Sequence, residues 1–198
     1  MPVVLCVADE TYLTKWDFCV SSQQAYAARC GYRRELIRTP VDGLNMKWSK
    51  LAHAAVLLRG GSDAILLLDA DTEVTPAAPA FIEVLDAERG ADIFYVLGIS
   101  GRANSGVLML RGRGGLDLLE ACLSSRATPV AKEHFVTPEG ENGHLIAMLA
   151  TPEFRRASHV LPLAWNCSQP DHAADAYVRH YTNRLRAALV SGKFRAFG

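Results

Sequence analysis

The chain has 198 residues, and its 21 basic and 21 acidic side chains give it a formal net charge of zero. A neutral chain has no overall field that would attract nucleic acid or an anionic membrane surface, so neither is an expected partner. We predict one domain, because a chain of this length can bury a stable core without disulfides. No apolar run approaches the roughly 20 residues of a membrane-spanning helix, so no transmembrane segment is expected.

The five cysteines indicate neither a disulfide framework nor a zinc site. Their number is odd, and no pair has the C-x₂-C spacing of structural zinc sites. The N-terminus opens directly on an apolar segment, without the basic region and cleavage site of a secretory signal. We therefore expect reduced thiols in a cytoplasmic protein. The cysteines are Cys6, Cys19, Cys30, Cys122 and Cys167.

The first third of the chain alternates predicted strands and helices. In order, these are a strand at Val3 to Val7, a helix at Thr14 to Arg29 capped by Thr14, a strand at Tyr32 to Arg38, a helix at Trp48 to Arg59, and a strand at Ala64 to Leu68. This β-α-β-α-β order predicts an α/β fold with a mostly parallel sheet that is covered by helices on both faces.

Two carboxylates follow directly on the third predicted strand. Alternate side chains of an extended chain share a face, so Asp69 and Asp71 can point the same way at the C-terminal edge of the sheet, where open α/β sheets bind ligands. Paired oxygen donors suit Mg²⁺ or Mn²⁺, whose coordination is often completed by substrate phosphates. The alternative is that the pair only caps a turn before Pro76, but two adjacent carboxylates repel each other without a cation.

The rest of the chain is less regular. The predicted elements are helices at Pro79 to Ala87, Leu116 to Ser124, Glu141 to Ala150 and Asn183 to Val190, and strands at Asp92 to Leu97, Gly106 to Leu110 and Ala157 to Leu161. We find no internal repeat and no linker, which agrees with a single domain.

Short motifs spread over nearly the whole chain resemble those of the nucleotide-sugar glycosyltransferases with the GT-A fold, in particular the retaining glycogenin-like and galactosyl/mannosyltransferase-like families. They are, in order, Ala8-Asp9-Glu10-Thr11-Tyr12, Lys47-Trp48-Ser49-Lys50, Leu68-Asp69-Ala70-Asp71, Asn104-Ser105-Gly106-Val107, Glu141-Asn142, Leu161-Pro162-Leu163-Ala164-Trp165-Asn166 and His180. The resemblance implies a single GT-A-like, Rossmann-like domain over residues 1–198. Its nucleotide-binding half would span about 1–110 and its acceptor and catalytic half about 111–198.

The resemblance also implies the roles of individual residues. Asp69, Asp71 and His180 would hold Mn²⁺ or Mg²⁺. Tyr12 would stack on the base, and Asp9 would accept a hydrogen bond from the base or ribose. Arg186 stands where the families carry a lysine that contacts the diphosphate. The full set of expected donor contacts is Ala8, Asp9, Tyr12, Lys50, Asp69, Ala70, Asp71, Asn104, Ser105, Gly106 and Arg186.

The transfer step is assigned to Glu141 and Asn142, because the retaining families have an acidic-amide pair at this place. Glu141 would hold sugar hydroxyls and Asn142 would stabilise the anomeric centre, with Glu139 as an alternative for the first role. Trp165 and Asn166 are expected on the acceptor side.

The sequence thus predicts a metal-dependent glycosyltransferase that moves a hexose or pentose from a nucleotide-sugar donor, UDP-linked, with retention. The acceptor, whether sugar, lipid, small molecule or protein, stays open. The chain is short for the fold, so a homo-oligomer that completes the acceptor site is compatible with it. The alternatives are a non-catalytic sugar-nucleotide-binding domain, or a haloacid-dehalogenase-like phosphatase with Asp69 as nucleophile. The phosphatase motif needs Thr or Val where this chain has Glu73.

Overall fold

The computed structural model describes residues 1–196, so residues 197 and 198 of the predicted second half lie outside the described residues. Six strands form the main sheet: β1 (Val3–Val7), β2 (Arg33–Ile37), β3 (Ala64–Leu68), β5 (Ile93–Leu97), β6 (Ala103–Arg111) and β7 (Ser158–Leu161). Their order is β2-β1-β3-β6-β5-β7. Only β6 runs against its neighbours, which confirms the mostly parallel α/β sheet.

Eight helices flank the sheet. They are α1 (Glu10–Lys15), α2 (Asp17–Cys30), α3 (Met46–Arg59), α4 (Phe81–Ala87), α5 (Gly112–Ser125), α6 (Asn142–Ala150), α7 (Pro152–Arg156) and α8 (Asn183–Val190). Over residues 1–196, none of these helices is long and apolar enough to cross a membrane.

The prediction that Thr14 caps the first helix is wrong. The helical segment begins earlier, at Glu10, and Asp9 is its N-cap because the Asp9 carboxylate accepts a hydrogen bond from the Tyr12 backbone N–H. The Thr14 hydroxyl instead donates to the Glu10 carbonyl inside α1. The backbone leaves the helical conformation at Trp16, which separates α1 from α2.

Strand alternation on β3 divides the core into two layers. Ile65 and Leu67 pack on one face of the sheet with apolar residues of α3, α5 and α6. Leu66 and Leu68 pack on the other face, with residues of α2 and α4. Helices cover both faces of β3, and all five of its side chains are buried.

A second, two-stranded sheet was not predicted from the sequence. It pairs β4 (Thr72–Val74) with β8 (Val178–His180) in antiparallel register, with Thr72 opposite His180. Glu73 and Arg179 face each other in this register and form a buried ion pair at 3.3 Å. The Tyr181 hydroxyl donates to the same Glu73 carboxylate at 2.6 Å. The pairing fixes His180 beside the end of β3, about a hundred residues away along the chain.

The central position of β3 predicts a large effect of truncating Leu66, which is fully buried. Leu66→Ala should lower the free energy of unfolding by about 2–5 kcal/mol, since it removes buried methyl groups and leaves a cavity. Val190→Ala is the control, because Val190 is 81% exposed and should change stability by less than about 0.5 kcal/mol. Urea denaturation followed by circular dichroism measures both; equal midpoints for the two variants would contradict the assignment of β3 to the core.

Candidate functional site

A cavity of about 430 Å³ opens at the C-terminal ends of β1 and β3. It is lined by twelve of the predicted site residues: Ala8, Asp9, Tyr12, Lys50, Asp69, Ala70, Asp71, Asn104, Ser105, Glu141, Asn142 and His180. The fold therefore brings most of the predicted set together, although its members are spread over more than 170 positions of the chain. This volume is within the range of small-molecule sites.

Three side chains at the floor of this cavity form a group that could hold a metal ion. One ligand atom each from Asp69, Asp71 and His180 lies within 4.8 Å of the other two. The Tyr12 hydroxyl donates to Asp71 Oδ2 at 2.8 Å, and His180 Nε2 lies 3.4 Å from Asp71 Oδ1. Two carboxylates and one imidazole are a donor set that suits a divalent ion such as Mn²⁺.

The pKa directions in this group follow from burial and from these contacts. Burial alone would raise the pKa of the Asp71 carboxyl, but its contacts with the His180 imidazole and with the Tyr12 hydroxyl, which donates to it, outweigh burial and lower that pKa. The pKa of the Tyr12 phenol is raised, first by burial and then by the adjacent Asp71 charge. Asp71 is therefore ionised and Tyr12 stays protonated at neutral pH.

Lys50 lies on α3 between two carboxylates that come from different elements. Its ammonium is 2.6 Å from Asp69 Oδ1 and 2.9 Å from Glu141 Oε1. Burial lowers the pKa of Lys50, but the two carboxylates outweigh that effect and raise the pKa above its usual range. Burial by itself would raise the pKa of Glu141. Lys50 and the Ser105 hydroxyl, which donates to Glu141 at 2.6 Å, outweigh burial and lower that pKa below its usual value. Lys50 and Glu141 are therefore charged, whereas burial raises the pKa of Asp69 despite its contact with Lys50.

The Asn142 amide holds the first residues of β6. Its Oδ1 accepts from the Ser105 backbone N–H at 2.8 Å, and its Nδ2 donates to the Ala103 carbonyl at 3.2 Å. The amide thus continues the backbone hydrogen bonding of β6 at residues that pair with β5 on one edge but not with β3 on the other. One lone pair of Oδ1 stays free in this geometry, on a residue that lines the cavity.

Gly106 lies beside the His180 ring and outside the cavity lining. The resemblance implied a close backbone approach to the donor sugar, but Gly106 does not line the cavity, and the space beside its Cα is filled by the His180 ring. A Cβ on Gly106 would lie 2.2 Å from His180 Cε1. The glycine is needed because any side chain here would displace the imidazole.

Two further predicted site residues, Glu139 and Arg186, also lie outside the cavity lining. The Glu139 side chain is exposed, and its backbone carbonyl accepts from the Asn45 amide. The Arg186 guanidinium lies over the Trp16 ring, 5.7 Å from the ring centroid. Trp165, expected on the acceptor side, is 2% exposed and packs in the core.

Gln23 is a functional residue that the sequence reasoning missed. It is fully buried on α2, and its Nε2 donates to the backbone carbonyls of Asp69 and Thr72, both at 2.9 Å. These bonds fix the turn that carries the two aspartates. The available signal was its position on the buried stripe of α2 with Val20 and Ala27, where a polar side chain needs a partner.

Solved structures of two glycosyltransferases are similar to this one. One is the crystal structure of a glycosyltransferase involved in the glycosylation of the major capsid of PBCV-1, with 15% sequence identity and a TM-score of 0.71 over 98% of this chain and 99% of that one. The other is the glycosyltransferase GlyE of Streptococcus pneumoniae TIGR4, with 14% identity and a TM-score of 0.62 over 98% of this chain and 61% of GlyE. The apo form of GlyE gives 13% identity and the same TM-score.

The chain therefore spans about three fifths of GlyE but nearly all of the capsid-glycosylating enzyme. No model of a protein family matches the chain, and no curated protein is similar to it in sequence. At such low identity the likeness carries the fold and not the reaction. The chain has a GT-A-like α/β fold, as its motifs predicted.

Proposed function

We propose that this protein is a metal-dependent glycosyltransferase that uses a nucleotide-sugar donor. The observation that carries the proposal is the Asp69, Asp71 and His180 group, whose ligand atoms lie within 4.8 Å of one another on the floor of the cavity. The GT-A-like fold and its glycosyltransferase neighbours support the reaction class.

The charge of the site favours a divalent cation. When ionised, Asp69, Asp71 and Glu141 carry three negative charges and Lys50 carries one positive charge, which leaves two negative charges when His180 is neutral; burial and the neighbouring Asp71 charge raise the pKa of Asp69 accordingly. Two of these carboxylates are almost fully buried, and in a medium of low dielectric constant such an excess is costly. One divalent ion would cancel it.

The residues present fit Mn²⁺ or Mg²⁺, with Asp69, Asp71 and His180 as the side chains that would hold it. When bound, the ion would neutralise the charge that develops on the leaving diphosphate. Lys50 is already committed to Asp69 and Glu141, so its part is to orient those two carboxylates. In the proposed nucleotide-binding half, residues 1–110, Asp9 and Tyr12 at the cavity wall would contact the uracil or ribose of a UDP donor.

Retention of the anomeric configuration is supported by the lack of an available general base. Within residues 1–196, each carboxylate that lines the cavity has a partner: Asp9 caps α1, Asp71 accepts from Tyr12, and the other two bind Lys50. An inverting enzyme needs a carboxylate or imidazole free to take the acceptor proton. Asn142 would stabilise positive charge at the anomeric carbon through the free lone pair of its Oδ1. The residues that surround the transferred sugar would decide whether it is a hexose or a pentose.

The two alternatives fit less well. A phosphatase that uses Asp69 as nucleophile would need Thr or Val where this chain has Glu73, whose buried carboxylate pairs with Arg179. A non-catalytic binding domain would not need the Asn142 arrangement. The five free cysteines support a reducing, cytoplasmic location.

The main test is metal-dependent hydrolysis of nucleotide sugars without acceptor. We expect turnover of a UDP-sugar with Mn²⁺ and none with chelator. Asp71→Asn should weaken Mn²⁺-dependent UDP binding at least about tenfold, or about 1.4 kcal/mol, because it removes one charged ligand. Asp86→Asn is the control, since Asp86 is 67% exposed and does not line the cavity. Calorimetric titration with UDP measures both variants; equal affinities, or release of phosphate from simple monoesters, would overturn the proposal.

Gly106→Ala tests the placement of His180. The added methyl group would meet the imidazole at 2.2 Å, so the ring must move and the affinity for Mn²⁺ should fall about tenfold or more. Gly90→Ala is the matched control, because no heavy atom lies within 4 Å of its Cβ position. Titration calorimetry with Mn²⁺ alone gives the affinities. If Gly106→Ala binds Mn²⁺ as well as Gly90→Ala does, His180 is not a ligand.

Asn142→Ala separates a catalytic amide from one that only holds β6. If the amide stabilises charge that exists mainly in the transition state, kcat should fall by roughly tenfold to a thousandfold with the KM for donor little changed. Steady-state kinetics and thermal unfolding are measured together. A raised KM and a lower melting temperature with kcat unchanged would restrict Asn142 to its hydrogen bonds with Ser105 and Ala103.

A further inference from the structure

The metal-facing nitrogen of His180 depends on where the imidazole carries its proton. A neutral imidazole is protonated on one nitrogen only, and the other nitrogen offers the lone pair that binds a metal. His180 Nε2 faces Asp71 Oδ1 at 3.4 Å, while Nδ1 faces away from the aspartates, 2.9 Å from Asn166 Oδ1. Nδ1 is at hydrogen-bond distance from its partner while Nε2 is farther from Asp71, so the identity of the Asn166 atom that faces Nδ1 decides whether that nitrogen can keep the proton when Nε2 gives its lone pair to a metal.

That identity can be traced back to a backbone group whose chemistry is fixed. The Gly106 backbone N–H is a donor, and it lies 2.9 Å from the Asn104 side chain, so the Asn104 atom facing it must be Oδ1. The same Oδ1 lies 3.0 Å from the Asn166 side chain, so the Asn166 atom that faces it must be the donor Nδ2. Asn166 Oδ1 is then left to face His180 and can only accept.

The reversed orientation of Asn166 is unfavourable because the site is buried. Asn166 is 4% and His180 5% exposed, so water cannot replace a lost hydrogen bond. Turning the Asn166 amide over would bring its oxygen against Asn104 Oδ1 and leave two buried oxygens in contact without a proton. The donor at Gly106 thus sets the direction of each hydrogen bond up to the imidazole.

We propose that Asn166 is a positioning residue that fixes His180 as the tautomer with its proton on Nδ1, so that the Nε2 lone pair is directed at Asp71 and the proposed metal site. The inference rests on the proposed function for the use of that lone pair, but not for the tautomer itself. Asn104 supports Asn166 by accepting a hydrogen bond from its Nδ2. The Nδ2 of Asn104 then points away from these hydrogen bonds. Neither amide touches the metal in this arrangement.

The test is the tautomer of His180 in the metal-free protein, read from the ¹⁵N chemical shifts of its ring nitrogens at a pH where the imidazole is neutral. The wild-type protein should carry the proton on Nδ1. Asn166→Leu removes the acceptor, so the tautomer should shift towards Nε2–H, which can donate to Asp71, and the affinity for Mn²⁺ alone should fall about tenfold or more. Asn104→Asp is the matched variant that keeps the acceptor oxygen, and it should retain the Nδ1–H tautomer.

An Nε2–H tautomer in the wild-type protein, or an unchanged tautomer in folded Asn166→Leu, would overturn the inference. If Asn166→Leu does not fold, the wild-type and Asn104→Asp spectra still decide, because Nε2–H in either contradicts it. Failure of the proposed function has a different signature: no Mn²⁺ binding and no sugar transfer by a wild-type protein whose His180 has the Nδ1–H form. That result supports the role of Asn166 in fixing the tautomer.

Discussion

The structure depends on the repulsion among three carboxylates that meet at the end of β3. Asp69, Asp71 and Glu141 are drawn together, and among the described residues Lys50 pairs with the first and the last of them while Tyr12 and His180 contact Asp71. Lys50 joins α3, β3 and the start of α6, so one cation holds three elements that lie up to ninety residues apart in the chain. A buried group of this kind persists only when its geometry is held from outside, because an unpaired buried charge is costly.

The surrounding structure supplies that support through polar contacts within the core. Gln23 fixes the backbone carbonyls of Asp69 and Thr72, and the buried pair of Glu73 and Arg179 sets the register of β4 and β8. The register in turn brings His180 to Asp71. These residues do not line the cavity of the candidate site, but without them the side chains that do would lack fixed positions. Such interactions contribute more to the uniqueness of a structure than to its stability.

The similarity to the two glycosyltransferases is a similarity of fold at about 15% identity. A layered α/β core needs apolar side chains at alternating strand positions and along helix faces, and many sequences meet that need. A site needs particular atoms at particular distances. The proposed function therefore depends on the Asp69, Asp71 and His180 group and its neighbours, and the fold supplies the frame in which such a group can form.

The sequence by itself determined the alternation of strands and helices, the two-layer core, and the place of Asp69 and Asp71 after β3, because these depend on local periodicity. The motif order also placed His180 and Glu141 in the site. Only the tertiary structure decided which side chains contact one another around the site. Gly106 leaves room for His180, Arg186 lies over Trp16, and Gln23 holds the turn that carries the two aspartates. These contacts join residues far apart in the chain. No local pattern encodes such distances, since they follow from the register of β4 with β8 and the packing of α2 on the sheet.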